Sequence, residues 1–578
     1  MDNIYNAIQN LYNMDKTTWQ EVLAELYNLV SKIDNKFDLF ELKFGPLLGE
    51  QVIKELKKMY DDGSLASLIN DKLLKDINTK VDTFKTKVSE ELETIAKYNN
   101  VINLGKMGLN SENVSYNQST KTYNMTDISN TIKEAINSNC DTIIFPQGNY
   151  LIENTITISK PIVLIGNGCN IYSSPSTKNK AIFKVIGSDV SINNFNFYSE
   201  QEYENTVEEA TANSISSNIT AISILGKNKN QKNVNISNCY FNKMGFGVSV
   251  LYMKYVSLIN LKVDECYFPI YSGENAENIV IRDCVLSAQL ETDVYGHVLY
   301  FAYGSKNIFV DNCKLISLGS ESNNIIKCGS NDGSAINIVI NNCDLECCVK
   351  SSLFYVRSNG DLVLNNCNIK GYAPNGYGRY LQLGDNSSFK CYGCKIDIDS
   401  FDKFTSQLNI INSSILFENC NLTIKNSYST YCTLGFISGV DNFVFKNCDI
   451  NFNLDKLLNI MDGDFKNVSL INCNLNNLSE TKNIICGQYD STNVNYTQTT
   501  KPTLKMYNTV IRNNNPTGMG TSCFFMNIVK DSTTTPICEL SNVTVFKCSG
   551  KSGSNSGKLF MTNVESQYLK NNVIDLNP

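Results

Sequence analysis

The sequence predicts an all-β, right-handed parallel β-helix that follows an α-helical N-terminal region. Three observations carry this. One phrase (apolar, any, apolar, any, Asn or Asp, Cys, any, apolar) recurs at 234–241 (VNISNCYF), 279–286, 308–315, 338–345, 362–369, 415–422, 443–450 and 468–475, with a weaker copy at 389–396. From Cys284 the cysteines of successive copies fall 29, 30, 24, 27, 26, 28 and 25 residues apart. A period in the twenties with β-rich units marks a solenoid, because each unit buries its apolar face only against its neighbours. Finally, apolar alternation runs on both sides of the Asn-Cys step and changes phase there, so two strands meet at a corner.

Asparagine tolerates the left-handed backbone that such a corner requires. Its column comprises Asn238, Asn260, Asn312, Asn342, Asn366, Asn419, Asn447, Asn472 and Asn508. These amides are expected to bond to one another inside the coil. The next residue starts an inward row: Cys239, Cys284, Cys313, Cys343, Cys367, Cys394, Cys420, Cys448 and Cys473. Copies without cysteine continue near Phe195, Leu261, Thr509, Val543 and Val564. At about 4.8 Å per coil, some fourteen coils give a rod of roughly 65 Å. The 21 cysteines are therefore expected to be stacked free thiols that act as small hydrophobes. Cys391-Tyr392-Gly393-Cys394 has redox or zinc spacing but falls on the repeat.

Composition narrows the function. A chain of 578 residues exceeds one compact core, and a net charge of −7 argues against a nucleic-acid binder. A single histidine, His297, excludes zinc and iron sites built on two. No run of about 18 apolar residues suits a membrane span, so no membrane insertion is expected. The first residues carry no signal-peptide pattern, which with free thiols points to synthesis in a reducing cytoplasm. No metal or cofactor is expected.

Residues 1–98 differ in kind. Trp19, Val22, Leu23, Leu26, Tyr27 and Val30 line one face of a helix over 17–33. Ile77, Val81, Phe84, Val88, Leu92 and Ile95 fall 4, 3, 4, 4 and 3 apart, a heptad seam that calls for partner helices and is compatible with three strands. The expected organisation is a helical anchor at 1–70, a coiled-coil stalk at 71–100, a lead-in and cap at 101–189, the β-helix at 190–565 and a C-terminal cap at 566–578.

Two family resemblances follow from quoted residues. At 124–172 a helix with Ile128, Ile132, Ala135 and Ile136 leads to Thr142-Ile143-Ile144-Phe145, then Pro146-Gln147-Gly148-Asn149-Tyr150, then Ile165-Gly166-Asn167-Gly168. This resembles the start of pectate-lyase-like domains in phage tailspikes, although the glycine- and aspartate-rich segment that usually precedes it is degraded here. The phrases MDKTTWQ (14–20), LFELKFGPLLG (39–49) and MYDDGSLASLIN (59–70) are similar to N-termini of appendage and tail-fibre proteins of small short-tailed phages of Gram-positive bacteria. These resemblances imply a homotrimeric virion appendage. It would be held on other tail or collar proteins through 1–70, released by lysis, and would act on host cell-wall polysaccharide such as wall teichoic acid. A bacterial polysaccharide lyase or adhesin of the same fold is the alternative.

Candidate site residues fall in two groups. Sugar recognition needs aromatic platforms beside polar groups. The loop at 371–380 supplies Tyr372, Tyr377, Arg379 and Tyr380, with Arg357 expected one coil beneath Arg379 to form a phosphate-gripping pair. Hydrolysis needs two carboxyls about 5–10 Å apart. Glu291 and Asp293 share a face if they lie on a strand, and His297 follows as a base. Asp397/Asp399 and Asp462/Asp464 are weaker pairs. Against these stand structural readings: a tyrosine-rich corner and a solvated acidic turn.

Overall fold

The computed structural model describes residues 100–576, apart from 175–180, 201–218, 227–230, 289–295, 318–323, 330–334, 349–351, 373–377, 400, 406–412, 426–439, 454–455, 462–466, 479–482, 489–502, 514–521, 528–536, 547–559 and 562–573. The chain divides into two units, Met1–Tyr98 and Asn99–Pro578. The expected anchor and coiled-coil stalk lie outside the described residues.

The lead-in packs a short helix, Ser129–Asn137, onto the first strands. Ile132, Ala135 and Ile136 recur every three or four residues and are buried together. Asp127 accepts hydrogen bonds from the Ser129 and Glu153 backbone N–H groups, each at 3.0 Å, and so ties the helix start to the first coil. Burial pushes its carboxyl up, but these bonds and those of the Ser129 hydroxyl and Asn154 hold it below its ordinary value. Gly166 is required where it stands, since a Cβ there would meet the Asn194 carbonyl oxygen at 2.3 Å.

Each coil then runs along three sides, as in Glu277–Arg282, Val285–Ala288 and His297–Phe301. All coil-to-coil pairings are parallel among the described residues. They hold like residues in register: Ile279 over Ile308, Ile338, Leu362, Phe389, Ile415 and Phe443. Continuous apolar ladders of this kind suit a sheet buried on its inner face. The first two sides belong to one sheet bent at the Asn corner, and the third sides form a ten-stranded sheet from Ile156–Ile158 to Phe401–Thr405 and a four-stranded one from Lys456–Met461 to Phe560–Met561. This is a parallel β-helix, as the repeat predicts.

The corner residues are left-handed from Asn194 to Asn542. Their amides hydrogen-bond from coil to coil: Asn447 to Asn419 at 3.0 Å, Asn472 to Asn447 at 2.9 Å and Asn508 to Asn472 at 3.0 Å. The expectation that this ladder lies inside the coil is corrected, for these bonds are solvent-exposed. A left-handed residue between two strands turns its own Cβ outward and sends the next side chain in. That next residue is a buried free cysteine in nine described coils, from Cys239 to Cys473, and a buried Phe195, Leu261, Thr509 or Val543 in the copies without cysteine. The backbone N–H of Cys284 donates to Cys313 Sγ at 3.4 Å, and that of Cys313 to Cys343 Sγ at 3.3 Å. Burial pushes the Cys239 thiol up to about 12.

The third side follows a different rule. Val298 with Leu299, Ile325 with Ile326, Leu353 with Phe354, and Tyr380 with Leu381 all belong to the inner core. Two adjacent residues face inward on each strand, so the outward positions fall three apart instead of two.

Candidate functional site

This spacing aligns one outward column from coil to coil. Tyr271 pairs with Tyr300, Tyr300 with Lys327, Lys327 with Tyr355, and Tyr355 with Gln382. A second outward column three residues earlier carries Phe246, Phe268, His297 and Asn324. The two columns interlock. Phe246 stacks on Phe268 at 4.9 Å, His297 meets Tyr300 edge-on at 5.2 Å, and Tyr271 meets Tyr300 at 5.3 Å. These aromatics form a buried cluster separate from the inner core.

Cations lie on the tyrosines. Lys327 Nζ sits 4.5 Å from the Tyr300 ring centre and 5.8 Å from that of Tyr355, and the Arg357 guanidinium is 4.9 Å from the Tyr355 ring. Such contacts offset part of the cost of removing an ammonium group from water. Lys327 is only 2 % exposed, whereas Tyr355 and Arg357 are half-buried. The column is thus closed at Tyr271 and Tyr300 and open at Tyr355 and Arg357. At the open end it offers an aromatic platform beside a planar cation, which suits a glycan that bears anionic groups.

His297 is corrected as a candidate base. It is 2 % exposed, and its Nδ1 accepts the Asn324 backbone N–H at 3.2 Å, which sets the neutral tautomer. A base must reach the proton it takes. Burial holds this ring well below its ordinary value, and the charges of Lys327 and Arg357 add to the effect. Glu291, Asp293 and Tyr377 lie outside the described residues, as do Asp462 and Asp464.

The loop at 371–380 divides between the two sides that flank it. Tyr372 ends the second-side strand Asn368–Tyr372, 43 % exposed, and pairs with Cys348 and Asp399. Tyr380 is corrected as a binding residue: it is 0 % exposed and points into the core, where burial and the neighbouring thiols raise its hydroxyl well above the ordinary value. The expected Arg357/Arg379 pair is corrected too. Arg379 pairs with Ser352, whereas Val356 pairs with Leu383, so Arg357 lies five positions further along its strand, roughly 16 Å away. Asp397 and Asp399 sit on the second side, paired with Lys370 and Tyr372 below and with Thr423 and Lys425 above.

Sequence reasoning missed Tyr271, Tyr300, Lys327 and Tyr355 as a group. The signal was present as a tyrosine or lysine directly before the last residue of three third-side strands, Phe301, Cys328 and Val356, but it becomes visible only once the inward pair fixes the register.

No protein-family model matches the chain, and no curated protein matches it. Among solved structures it is similar to the pre-mature gene product 12 of bacteriophage phi29, at 10 % identity and a TM-score of 0.44 over 80 % of this chain and 74 % of that one. It is similar to the tailspike protein gp49 of Acinetobacter baumannii bacteriophage Fri1, a capsular polysaccharide depolymerase, at 13 % and 0.37 over 61 % and 60 %. It is also similar to the catalytic domain of a GH87 α-1,3-glucanase, at 12 % and 0.34 over 76 % and 70 %. At these identities and scores, the fold rests on the strand register of this chain itself.

Proposed function

We propose that the chain is a phage virion appendage whose β-helix recognises a glycopolymer of the host cell surface, wall teichoic acid or a related glycan. The column Tyr271–Tyr300–Lys327–Tyr355 with Arg357 carries this reading. Its buried part, Tyr271, Tyr300 and Lys327, fixes the position of its open end, where the partly exposed Tyr355 ring lies beside the Arg357 guanidinium and a polymer has access. In this reading residues 1–70 dock on other tail or collar proteins, 71–100 join three copies, and the protein acts at the bacterial surface. The N-terminal phrases support the virion assignment, and the column supports the ligand class.

Immobilised wall polymer from the host is the test. Tyr355→Ala and Arg357→Gln are each expected to weaken binding about tenfold or more, the loss expected of an aromatic or arginine anchor. Equal binding by both variants would overturn the reading. Glu291 and Asp293 are proposed for cleavage, since they just precede the His297–Phe301 strand in sequence. The Glu291→Gln, Asp293→Asn double variant is expected to stop release of polymer fragments while retention on the polymer stays intact. Undiminished fragment release would remove both residues from that role.

A further inference from the structure

The corner between the third and first sides carries a second ladder of left-handed residues. Its members in register are Asn233 (φ 63°), Tyr255 (φ 55°), Asn278 (φ 59°), Asn307 (φ 56°) and Asn337 (φ 56°). Asparagine suits this position twice over, because it tolerates the backbone and bonds to the coil next to it. Asn233 donates to Asp189 at 2.8 Å, Asn307 to Asn278 at 3.1 Å and Asn337 to Asn307 at 3.0 Å. Tyr255 interrupts the ladder. A bulky side chain with positive φ is strained, and here burial offers little in return, for Tyr255 is 54 % exposed. Three residues earlier Tyr252 repeats the pattern, with φ 56° and 42 % exposure. Its hydroxyl is hydrogen-bonded to Glu274 Oε2 at 2.9 Å, and Glu274 is itself left-handed at φ 51°. Beside them Glu277 is bridged by Lys254 at 3.0 Å and Lys306 at 3.5 Å, and the Lys254 hydrogen bond is the main cause that holds its carboxyl below the ordinary value.

A residue that violates the local rule without a stabilising return marks a functional position. We infer that Tyr252, Tyr255 and Glu274 form a saccharide-binding subsite for neutral pyranose rings, distinct from the third-side column. A pyranose has an apolar C–H face and a rim of hydroxyls. Exposed tyrosine rings match the face, and the Glu274 carboxylate with the lysine-neutralised Glu277 matches the rim. The absence of a net local cation separates this subsite from the Lys327/Arg357 column and favours an uncharged sugar.

Saturation-transfer NMR on the full-length protein tests the subsite, with methyl α-glucopyranoside, methyl β-galactopyranoside, N-acetylglucosamine and N-acetylmannosamine as probes. Transfer to the ring C–H protons of at least one probe is expected. Tyr255→Asn and Tyr252→Ala are each expected to reduce it about tenfold or more. Tyr255→Asn is also expected to melt at a higher temperature than the wild type, because it restores the amide ladder and relieves the backbone. The inference is overturned if no probe receives transfer, if both variants bind as the wild type does, or if Tyr255→Asn melts lower, which would make the ring structural. Transfer that is lost in Tyr355→Ala but kept in Tyr255→Asn and Tyr252→Ala would place the probes on the third-side column and overturn the inference, whereas unchanged polymer binding by Tyr355→Ala and Arg357→Gln overturns the proposed function alone.

Discussion

His297 is the only histidine in the chain, which makes its protonation a clean observable. Desolvation is the main cause that holds the ring well below 6.5, and Lys327 and Arg357 oppose the charged form as well. The Phe268 and Tyr300 rings packed against it carry no charge at neutral pH. The sign follows from linkage: the unfolded chain takes up this proton first as pH falls, so the stabilisation is complete above about 6.5 and is lost as pH drops toward the depressed folded value. Wild-type thermal stability is therefore expected to decline from pH 7 to pH 5 more steeply than that of His297→Gln. The imidazole NMR signals are expected to stay those of the neutral ring at pH 6; titration near 6.5 in the folded protein would contradict the burial argument. Thiol reactivity follows the same logic. Cys348 is half-buried while its neighbour Cys347 is buried with its thiol pushed up by desolvation, so brief iodoacetamide treatment read by mass spectrometry is expected to alkylate Cys348 well ahead of Cys347. At this scale the sequence revealed that His297 was unique and that the repeat cysteines were free. Whether His297 or Tyr380 pointed in or out depended on a strand phase that local residue type does not report.

The corner ladders show which elements were legible and why. On the first and second sides strict alternation meets at one asparagine, so the phrase around Cys448 gives both strands, the turn and the inward row directly. On the third side Leu353 and Phe354 both face the core, so a period-two template gives opposite faces for Tyr355 and Arg357 according to which of the two it starts from. The same fault placed Arg357 under Arg379, because the counting of residues between coils ignores where each strand begins. Asn447 tests the corner itself. It has φ 53°, donates to Asn419 and accepts from Asn472. Asn447→Ala is expected to cost about 2–3 kcal/mol, from a left-handed alanine and the broken ladder. Asn447→Gly restores the backbone freedom but not the amide, so its cost is expected to be about 1 kcal/mol smaller, as read by denaturant unfolding. Equal losses would show that the amide ladder, not the backbone, dominates the corner.

At the scale of the whole molecule, the β-helix is stabilised coil by coil, while in the proposed trimer binding strength would depend on how many copies act together. A solenoid whose register repeats from Ile279 to Phe443 has its interactions between neighbouring coils, so its folding does not itself demand a partner subunit. The proposed trimer rests instead on the 77–95 heptad seam, where Val81 and Val88 occupy apolar positions. Charge at those two positions offers a way to separate the roles. The Val81→Asp, Val88→Asp double variant is expected to sediment near the 64.6 kDa monomer mass, against about three times that for the wild type, with its β-sheet circular dichroism retained. In the proposed trimer, three linked columns would turn the second and third contacts with a polymer into intramolecular events, so avidity would exceed the single-site affinity by about 10²–10⁴. The monomeric variant is accordingly expected to bind immobilised wall polymer at least about a hundredfold more weakly, yet to match the wild type per subunit on short polymer fragments. Equal losses on polymer and fragments would place the seam in the binding surface itself, and no loss on either would remove the trimer from the account of adsorption.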